Sequence, residues 1–207
     1  MSTLNGSMGA TGSLGVRKIS NHQSAPLAWR IRQALRWDRV QGLIGTKAAG
    51  LGRLLGFGVF TSQLSITHIN GKTGLRTKYG VVSRRLVTTA FVNFVVDQMQ
   101  AETTEFGDFK FHDSGVGVTA AAIGDTDMET TDGEARVTGT QTEGASANIY
   151  RTVGTITYTT TKAITEHGVF SIVTGGTMID RHTFAAVNVD NTDQIEFTYE
   201  ITFAAGG

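Results

Sequence analysis

Residues Gln194–Phe203, QIEFTYEITF, alternate apolar and polar side chains without interruption. Successive side chains of an extended chain point to opposite sides, so this period of two predicts a strand with one buried and one solvated face. The buried face needs a second layer to cover it, which predicts a domain built from packed sheets. The residues expected in its core are Phe170, Ile195, Phe197, Tyr199, Ile201 and Phe203.

The C-terminal half as a whole is typical of an all-β domain, because threonine and valine are frequent and glycines recur between short apolar runs. The predicted fold is mainly β, with an antiparallel, jelly-roll-like β-sandwich over residues 106–207. Its strands are expected near residues 108–116, 134–141, 149–160, 165–173, 177–189 and 194–204.

Charge divides the chain into two parts. Thirteen of the 18 lysines and arginines precede Asp97, whereas 17 of the 18 acidic residues lie at Asp97 or beyond it. The net charge of zero therefore conceals a basic half and an acidic half, which predicts a boundary near residues 97–106. The expected organisation is a basic, glycine-rich N-terminal arm over residues 1–85, a connecting helix over 86–105 and an acidic β domain over 106–207.

Residues 25–40 have apolar side chains at helical spacing, which predicts a basic amphipathic helix within the arm. Leu27, Ile31, Ala34 and Leu35 share one face of that helix. An arm of this composition can bury little by itself, so we expect it to pack on other chains. The residues expected to dock on a partner are Trp29, Arg30, Ile31, Arg32, Leu35, Arg36, Trp37, Arg39, Arg53, Leu54, Leu55 and Phe57.

Two local signals lie between the arm helix and the β domain. Asn70-Gly71 has the turn chemistry of a β-hairpin. Apolar residues then recur at helical spacing after Leu86, and Thr88 or Thr89 can cap a helix, which predicts a helix near residues 88–100.

The chain contains no cysteine, which excludes disulfides and thiolate metal sites. Met1 to Gly15 is rich in glycine, serine and threonine, and residues 42–60 are interrupted by Lys47 and Arg53. Neither stretch is typical of a secretory signal or a membrane span, so synthesis in the cytoplasm is expected.

Three carboxylates alternate along one predicted loop. Asp125, Asp127 and Glu129 could face one side of an extended chain and meet a hard cation such as calcium. The calcium-loop pattern requires a glycine after the third ligand, and Thr130 occupies that position. A solvated acidic loop is therefore the favoured interpretation, and no metal or other cofactor is expected.

Glu166-His167 and Asp180-Arg181-His182 place carboxylates beside histidines, as general-base catalysis requires. Adjacent residues of a strand point to opposite faces, so Glu166 and His167 cannot address the same substrate atom. No serine has the setting of a nucleophile elbow, and the glycine-rich stretches lack the lysine of a phosphate loop. The sequence predicts no enzyme activity and no small-molecule substrate.

The basic half has more than one interpretation. Its arginines, together with Trp29 and Trp37, could neutralise phosphates and stack on bases, or could lie on an anionic membrane surface. Docking on an acidic protein, including a further copy of this chain, explains the same residues without nucleic acid. We favour protein docking, keep nucleic-acid binding as an alternative and expect no membrane contact.

A series of short motifs follows one another along the second half of the chain. They are Leu86–Phe94 (LVTTAFVNF), Phe111–Gly117 (FHDSGVG), Gly124–Thr126 with Glu129, Arg136–Thr140 (RVTGT), Ile164–Phe170 (ITEHGVF), Gly176–Arg181 (GTMIDR) and Ile201–Phe203. In kind and in order, this series resembles a pattern in tailed-bacteriophage virion proteins of the decoration, cement, head-fibre and tail-fibre type. The resemblance covers about residues 86–207 and implies a small β-sandwich in a structural virion protein, without catalytic residues.

The resemblance and the arm together lead to a functional expectation. We expect a non-enzymatic capsid cement or decoration protein, located on the capsid surface of the virion. It would be a homotrimer that fastens neighbouring major capsid subunits through its N-terminal arm. A tail-fibre or tail-adaptor protein is the alternative, and a nucleic-acid-binding protein is the second alternative.

Overall fold

The structure is a computed structural model that describes residues 22–36, 60–100 and 109–203, together with the isolated positions Ile44 and Lys47. The described part of the chain is mainly β. Its elements, in chain order, are β1 (His22–Ser24), α1 (Leu27–Ala34), β2 (Phe60–Ile69), β3 (Arg76–Leu86), α2 (Thr89–Gln100), β4 (Phe111–Gly115), β5 (Val137–Thr138), β6 (Thr140–Glu143), β7 (Ile149–Thr157), β8 (Lys162–Phe170), β9 (Met178–Val189) and β10 (Gln194–Phe203).

The strands form two sheets. One has six strands in the order β1-β3-β2-β10-β7-β6, and the other has four strands in the order β5-β4-β8-β9. Neighbouring strands run antiparallel except for the short parallel pair β1–β3. Strand β10 lies inside the larger sheet, where β2 and β7 flank it on either side.

The alternation in β10 buries its apolar side as predicted. Ile195, Phe197, Tyr199 and Ile201 belong to one buried cluster with side chains of both sheets, and Phe203 packs against that cluster. Phe170 lies elsewhere, in a small cluster with Met128 and Met178. Its neighbour Val169 faces the main cluster, and period-two alternation therefore turns Phe170 to the other side of β8. Phe170 is buried, as predicted for a core residue, but in this smaller cluster.

Several local predictions are confirmed. Strands lie in each of the six predicted regions of the C-terminal half, and Asn70-Gly71 lies in the turn between β2 and β3. Helix α2 begins at Thr89. Its cap is Thr88, whose hydroxyl accepts a hydrogen bond from the Phe91 amide at 3.2 Å.

Residues 60–86 belong to the β domain, so the predicted domain boundary at residue 86 is wrong. Strand β2 pairs with β10 over ten residues, and β3 pairs with β2. Leu64, Ile66 and Val82 also belong to the same buried cluster as Phe197. Charge reports mainly on the solvated surface, whereas strand pairing and burial decide which residues share a domain.

Residues 22–36 also contact the β domain. Strand β1 pairs with β3, and Trp29 of α1 packs against the main core. The expectation that residues 1–85 form an arm packed mainly on other chains is therefore wrong for residues 22–36 and 60–85. Residues 1–21 and 37–59 of the expected arm, apart from Ile44 and Lys47, lie outside the described residues.

Candidate docking site

Helix α1 bridges the edges of the two sheets. The amide of Gln33 donates to the carbonyl of Val82 in β3, and its oxygen accepts a 2.6 Å hydrogen bond from the Ala185 amide in β9. Strand β9 is the outer strand of the four-stranded sheet. Gln33 is only 1% exposed, so one buried side chain joins a strand of each sheet. This joint fixes the orientation of α1 on the β domain.

Two further side chains of this segment bind the backbone of β9. The indole of Trp29 donates to the Ala185 carbonyl at 3.0 Å, and the guanidinium of Arg36 donates to the Phe184 carbonyl at 2.7 Å. Backbone groups on the edge of a sheet need such partners. The segment therefore covers part of the exposed edge of β9.

An irregularity in β9 explains why these backbone groups are available. Glu166 of β8 pairs with Thr183, whereas Ile164 pairs with Val187. Three residues of β9 thus lie opposite a single residue of β8, as in a β-bulge, and a bulge leaves backbone groups outside the regular ladder. The side chains of α1 bind at this bulge.

The aliphatic residues of α1 face away from the β domain. Leu27, Ile31 and Leu35 are 68%, 51% and 79% exposed. These three residues, spaced four apart, form an aliphatic stripe on the outer side of the helix, which we call the α1 ridge. An aliphatic stripe in this position is unusual in a helix and is typical of a surface that contacts another molecule.

The charges near the ridge differ from those on the rest of the β domain. Acidic side chains form ion pairs with cations of the same chain: Asp113 with Arg136, Asp125, Glu129 and Glu166 with Arg181, Glu134 with Lys162, Glu196 with Arg76, and Glu200 with Arg151. Among the described residues, no carboxylate pairs with Arg30 or Arg32 of α1 or with Lys78 or Arg84 of β3. The surface around the ridge is therefore basic and free to meet an acidic partner.

Clefts lie on both sides of α1. One, of about 560 Å³, is lined by Trp29 and Arg32 of α1 and by Tyr79 of β3. The other, of about 410 Å³, lies along Leu27, Arg30 and Ile31 and again borders Trp29 and Tyr79. The rings of Trp29 and Tyr79 meet edge to face with their centroids 4.6 Å apart, and they form the wall between the two clefts.

The carboxylates of the predicted acidic loop bind arginine side chains. Arg181 contacts Asp125 at 2.8 Å, Glu129 at 3.0 Å and Glu166 at 2.7 Å. Asp127 lies 3.6 Å from Arg136. No cluster suited to a metal ion occurs within the described residues. The three carboxylates thus hold their loop on the four-stranded sheet through arginine side chains, and the prediction of one shared carboxylate face is wrong.

Arg181 is the centre of this loop attachment. Burial alone would lower the pKa of its guanidinium. The hydrogen bonds to Glu166 and Asp125 outweigh this effect, so the pKa of Arg181 lies above its ordinary value. Glu166, which is fully buried, also accepts hydrogen bonds from the backbone amides of Gly117 and Thr130.

The predicted separation of Glu166 from His167 is confirmed. Glu166 faces the acidic loop, whereas His167 faces the main core and stacks on Phe197 with centroids 4.3 Å apart. His167 also lies 2.9 Å from His112, between Nε2 and Nδ1. Burial lowers the pKa of His112 to about 3, and burial followed by the neighbouring histidines lowers the pKa of His167 well below its ordinary value. This histidine pair is therefore neutral near pH 7.

His182 has a serine and an aspartate beside it, but their geometry is unlike a catalytic triad. Its Nε2 lies 3.1 Å from Asp180 and 3.4 Å from Ser62, while the Ser62 hydroxyl donates to Asp180 directly. In a triad the two ring nitrogens serve the two partners separately. All three side chains are buried.

The predicted docking residues fall into three groups. Trp29 and Arg36 point toward the β domain, and Arg30, Ile31, Arg32 and Leu35 are exposed on α1. The remaining predicted docking residues, Trp37, Arg39, Arg53, Leu54, Leu55 and Phe57, lie outside the described residues. Gln33 was missed, although helical spacing places it on the same side as Trp29 and Arg36.

Comparison with known protein families, with curated proteins and with solved structures found no match to this chain. In the part of the chain that the structure describes, no helix has the length and apolar character that a membrane crossing requires.

Proposed function

We propose that this chain is a non-enzymatic structural protein of a tailed-bacteriophage virion, and that it is a cement or decoration protein of the capsid. The motif series of residues 86–207 supports the class of virion protein. The two sheets would be the layers of an antiparallel β-sandwich, and its jelly-roll-like connectivity stays a prediction. The protein would fasten neighbouring major capsid subunits from the outer surface.

The observation that carries the proposal is the α1 ridge. A helix anchored by Gln33 and Trp29 turns three aliphatic side chains outward beside Arg30 and Arg32. Burying these side chains against a partner would contribute about 1.5–3 kcal/mol for each one fully buried. The fitting partner is an acidic protein surface with an apolar groove, and the major capsid protein is our candidate.

This proposal changes the part of the chain that is expected to bind the capsid. The helix acts as a fixed projection of the β domain, not as part of a free arm. Trp37, Arg39, Arg53, Leu54, Leu55 and Phe57 stay predicted docking residues that would extend the same interface. A trimer stays part of the proposal, because three copies on a three-fold position would present three ridges at once.

The orientation of Trp29 favours a protein partner over nucleic acid. Base stacking was one reason to consider nucleic acid, but the indole of Trp29 binds the backbone of β9 and packs against Tyr79. Exposed aliphatic side chains offer bases no comparable stacking surface. A tail-fibre or tail-adaptor protein stays the second candidate, because a tail lattice could offer the same kind of acidic groove.

Copy number in purified virions tests the capsid assignment. Quantitative mass spectrometry, calibrated on the major capsid protein, should find on the order of hundreds of copies, because a capsid has many three-fold and quasi-three-fold positions to fill. About six to a few dozen copies would indicate the tail instead. Absence from purified virions would contradict the proposal as a whole.

A further inference from the structure

The larger of the two clefts beside α1 has the properties of a ligand pocket. It lies between α1, the edge of β3 and the exposed residues Ala186 and Asn188 of β9. Its volume of about 560 Å³ falls within the range of small-molecule sites. The α1 ridge points away from the domain, so this cleft lies beside the proposed docking surface, and the two have Arg32 in common.

Its apolar wall is aromatic and held in position. The indole of Trp29 is fixed by its 3.0 Å hydrogen bond to the Ala185 carbonyl, and the half-buried Tyr79 packs against it. A rigid indole offers a flat apolar surface at little cost in conformational entropy. Leu75 and Pro26 extend this apolar part of the lining.

The polar part of the lining consists mostly of neutral hydrogen-bonding groups. Among the residues that the structure describes, no carboxylate lines the cleft, and Arg32 carries the one permanent charge in its lining. His68 lies 2.8 Å from Asp193 and is already engaged. The exposed amide of Asn188 supplies both a donor and an acceptor.

These properties exclude most ligand classes in turn. A cation would lack a counter-charge, and a polyanion would meet a single guanidinium. A purely apolar ligand would leave Asn188 and Arg32 facing it without partners. The lining suits a compact ligand with one apolar face and many hydroxyl groups.

We propose that this cleft binds one saccharide unit, which would lie against the Trp29–Tyr79 wall and form hydrogen bonds with Asn188 and Arg32. This inference goes beyond the proposed function and departs from the expectation that the chain takes no small-molecule ligand. It does not depend on a capsid location.

Tryptophan fluorescence of the full chain tests the proposal. Trp29 and Trp37 are the two tryptophans, so a Trp37→Phe variant leaves Trp29 as the sole reporter. Glucose, galactose, N-acetylglucosamine and glucuronate are titrated separately. We expect at least one of them to change the emission saturably, with a dissociation constant in about the millimolar range. No saturable change with any of these four probes would overturn the proposal.

Two variants in the Trp37→Phe background locate the binding. Asn188→Ala and Arg32→Gln remove exposed polar groups, and each should weaken the saccharide response at least about tenfold, roughly the loss of one hydrogen bond. Thr155→Ala changes an exposed residue of β7 outside the cleft lining and should leave the response unchanged. A response retained by both cleft variants would overturn the proposal, provided that thermal unfolding shows each variant to be folded.

Discussion

At the scale of single residues, the unusual feature is a pair of histidines inside a β core. His112 and His167 lie 2.9 Å apart, and the other ring nitrogen of His112 lies 3.0 Å from the Thr152 hydroxyl. One proton shared between the two facing nitrogens is compatible with this geometry, whereas two charged rings would repel each other. Neutral histidines are therefore part of the folded structure.

This arrangement predicts that acid destabilises the protein. The pKa of His112 is about 3 when folded against an ordinary value of 6.5, so the unfolded chain binds more protons between these values. The neutral form of His112 contributes fully to the free energy of unfolding above pH 6.5, and this contribution is lost as the pH falls toward 3. The loss is at most about 1.4 kcal/mol per pH unit for one such histidine. Urea unfolding at a series of pH values measures this loss.

Two variants distinguish the effect of protonating His112 from that of protonating carboxylates over the same pH range. His112→Asn should reduce the slope of unfolding free energy against pH between about 6 and 4. His22→Gln, at an exposed histidine of β1, should leave that slope unchanged. Equal slopes for His112→Asn and the unaltered protein would contradict the role given to His112.

At the scale of elements, α1 shows why hydrophobic periodicity was insufficient. The spacing of Leu27, Ile31 and Leu35 indicated an aliphatic stripe, but it did not show that the opposite side of the helix binds the β domain. Gln33 determines the orientation because its amide satisfies backbone groups on both sheets. A bulge in a distant strand, which creates these groups, leaves no local signal in the sequence of the helix.

Replacing Gln33 tests the attachment of α1. Gln33→Met keeps the side-chain length but leaves the Val82 carbonyl and the Ala185 amide without this partner, at a cost of about 1–3 kcal/mol for each group left unsatisfied. We expect the segment 27–36 to become the first site of limited proteolysis and to lose protection from hydrogen exchange. Arg30→Met, on the exposed side of the same helix, is the control and should change neither. Unchanged protection in Gln33→Met would show that α1 is held by other contacts.

At the scale of the whole molecule, the sequence predicted the C-terminal strands, the β2–β3 turn and α2 from local patterns. It failed at the domain boundary, because charge separates residues 1–96 from the rest, whereas the fold joins residues 22–36 and 60–96 to the β domain. β10 needs both β2 and β7, and the partner before residue 86 could not be identified from β10 itself. The candidate site failed in part for the same reason, since it forms between segments more than a hundred residues apart.

Truncation tests this joined fold. A fragment of residues 87–207 lacks β2 and β3, so one edge of β10 is exposed and Phe197 loses part of its covering core. We expect the fragment to lack cooperative thermal unfolding and dispersed amide resonances, whereas the full chain shows both. A fragment that unfolds cooperatively would restore the predicted organisation, in which the β domain folds without residues 1–85.

The central claim is that the α1 ridge docks on a protein lattice, and co-sedimentation with assembled shells of the same virus tests it most directly. The triple variant Leu27→Gln, Ile31→Gln and Leu35→Gln should stay folded and lose at least about a hundredfold in affinity, because several kcal/mol of apolar burial would be missing. Val118→Gln is the matched control, since Val118 is as exposed as Leu27 at 68% but lies outside α1. Affinity close to that of the unaltered protein for Val118→Gln, together with the loss in the triple variant, is the predicted result. Undiminished binding of the triple variant would contradict the account.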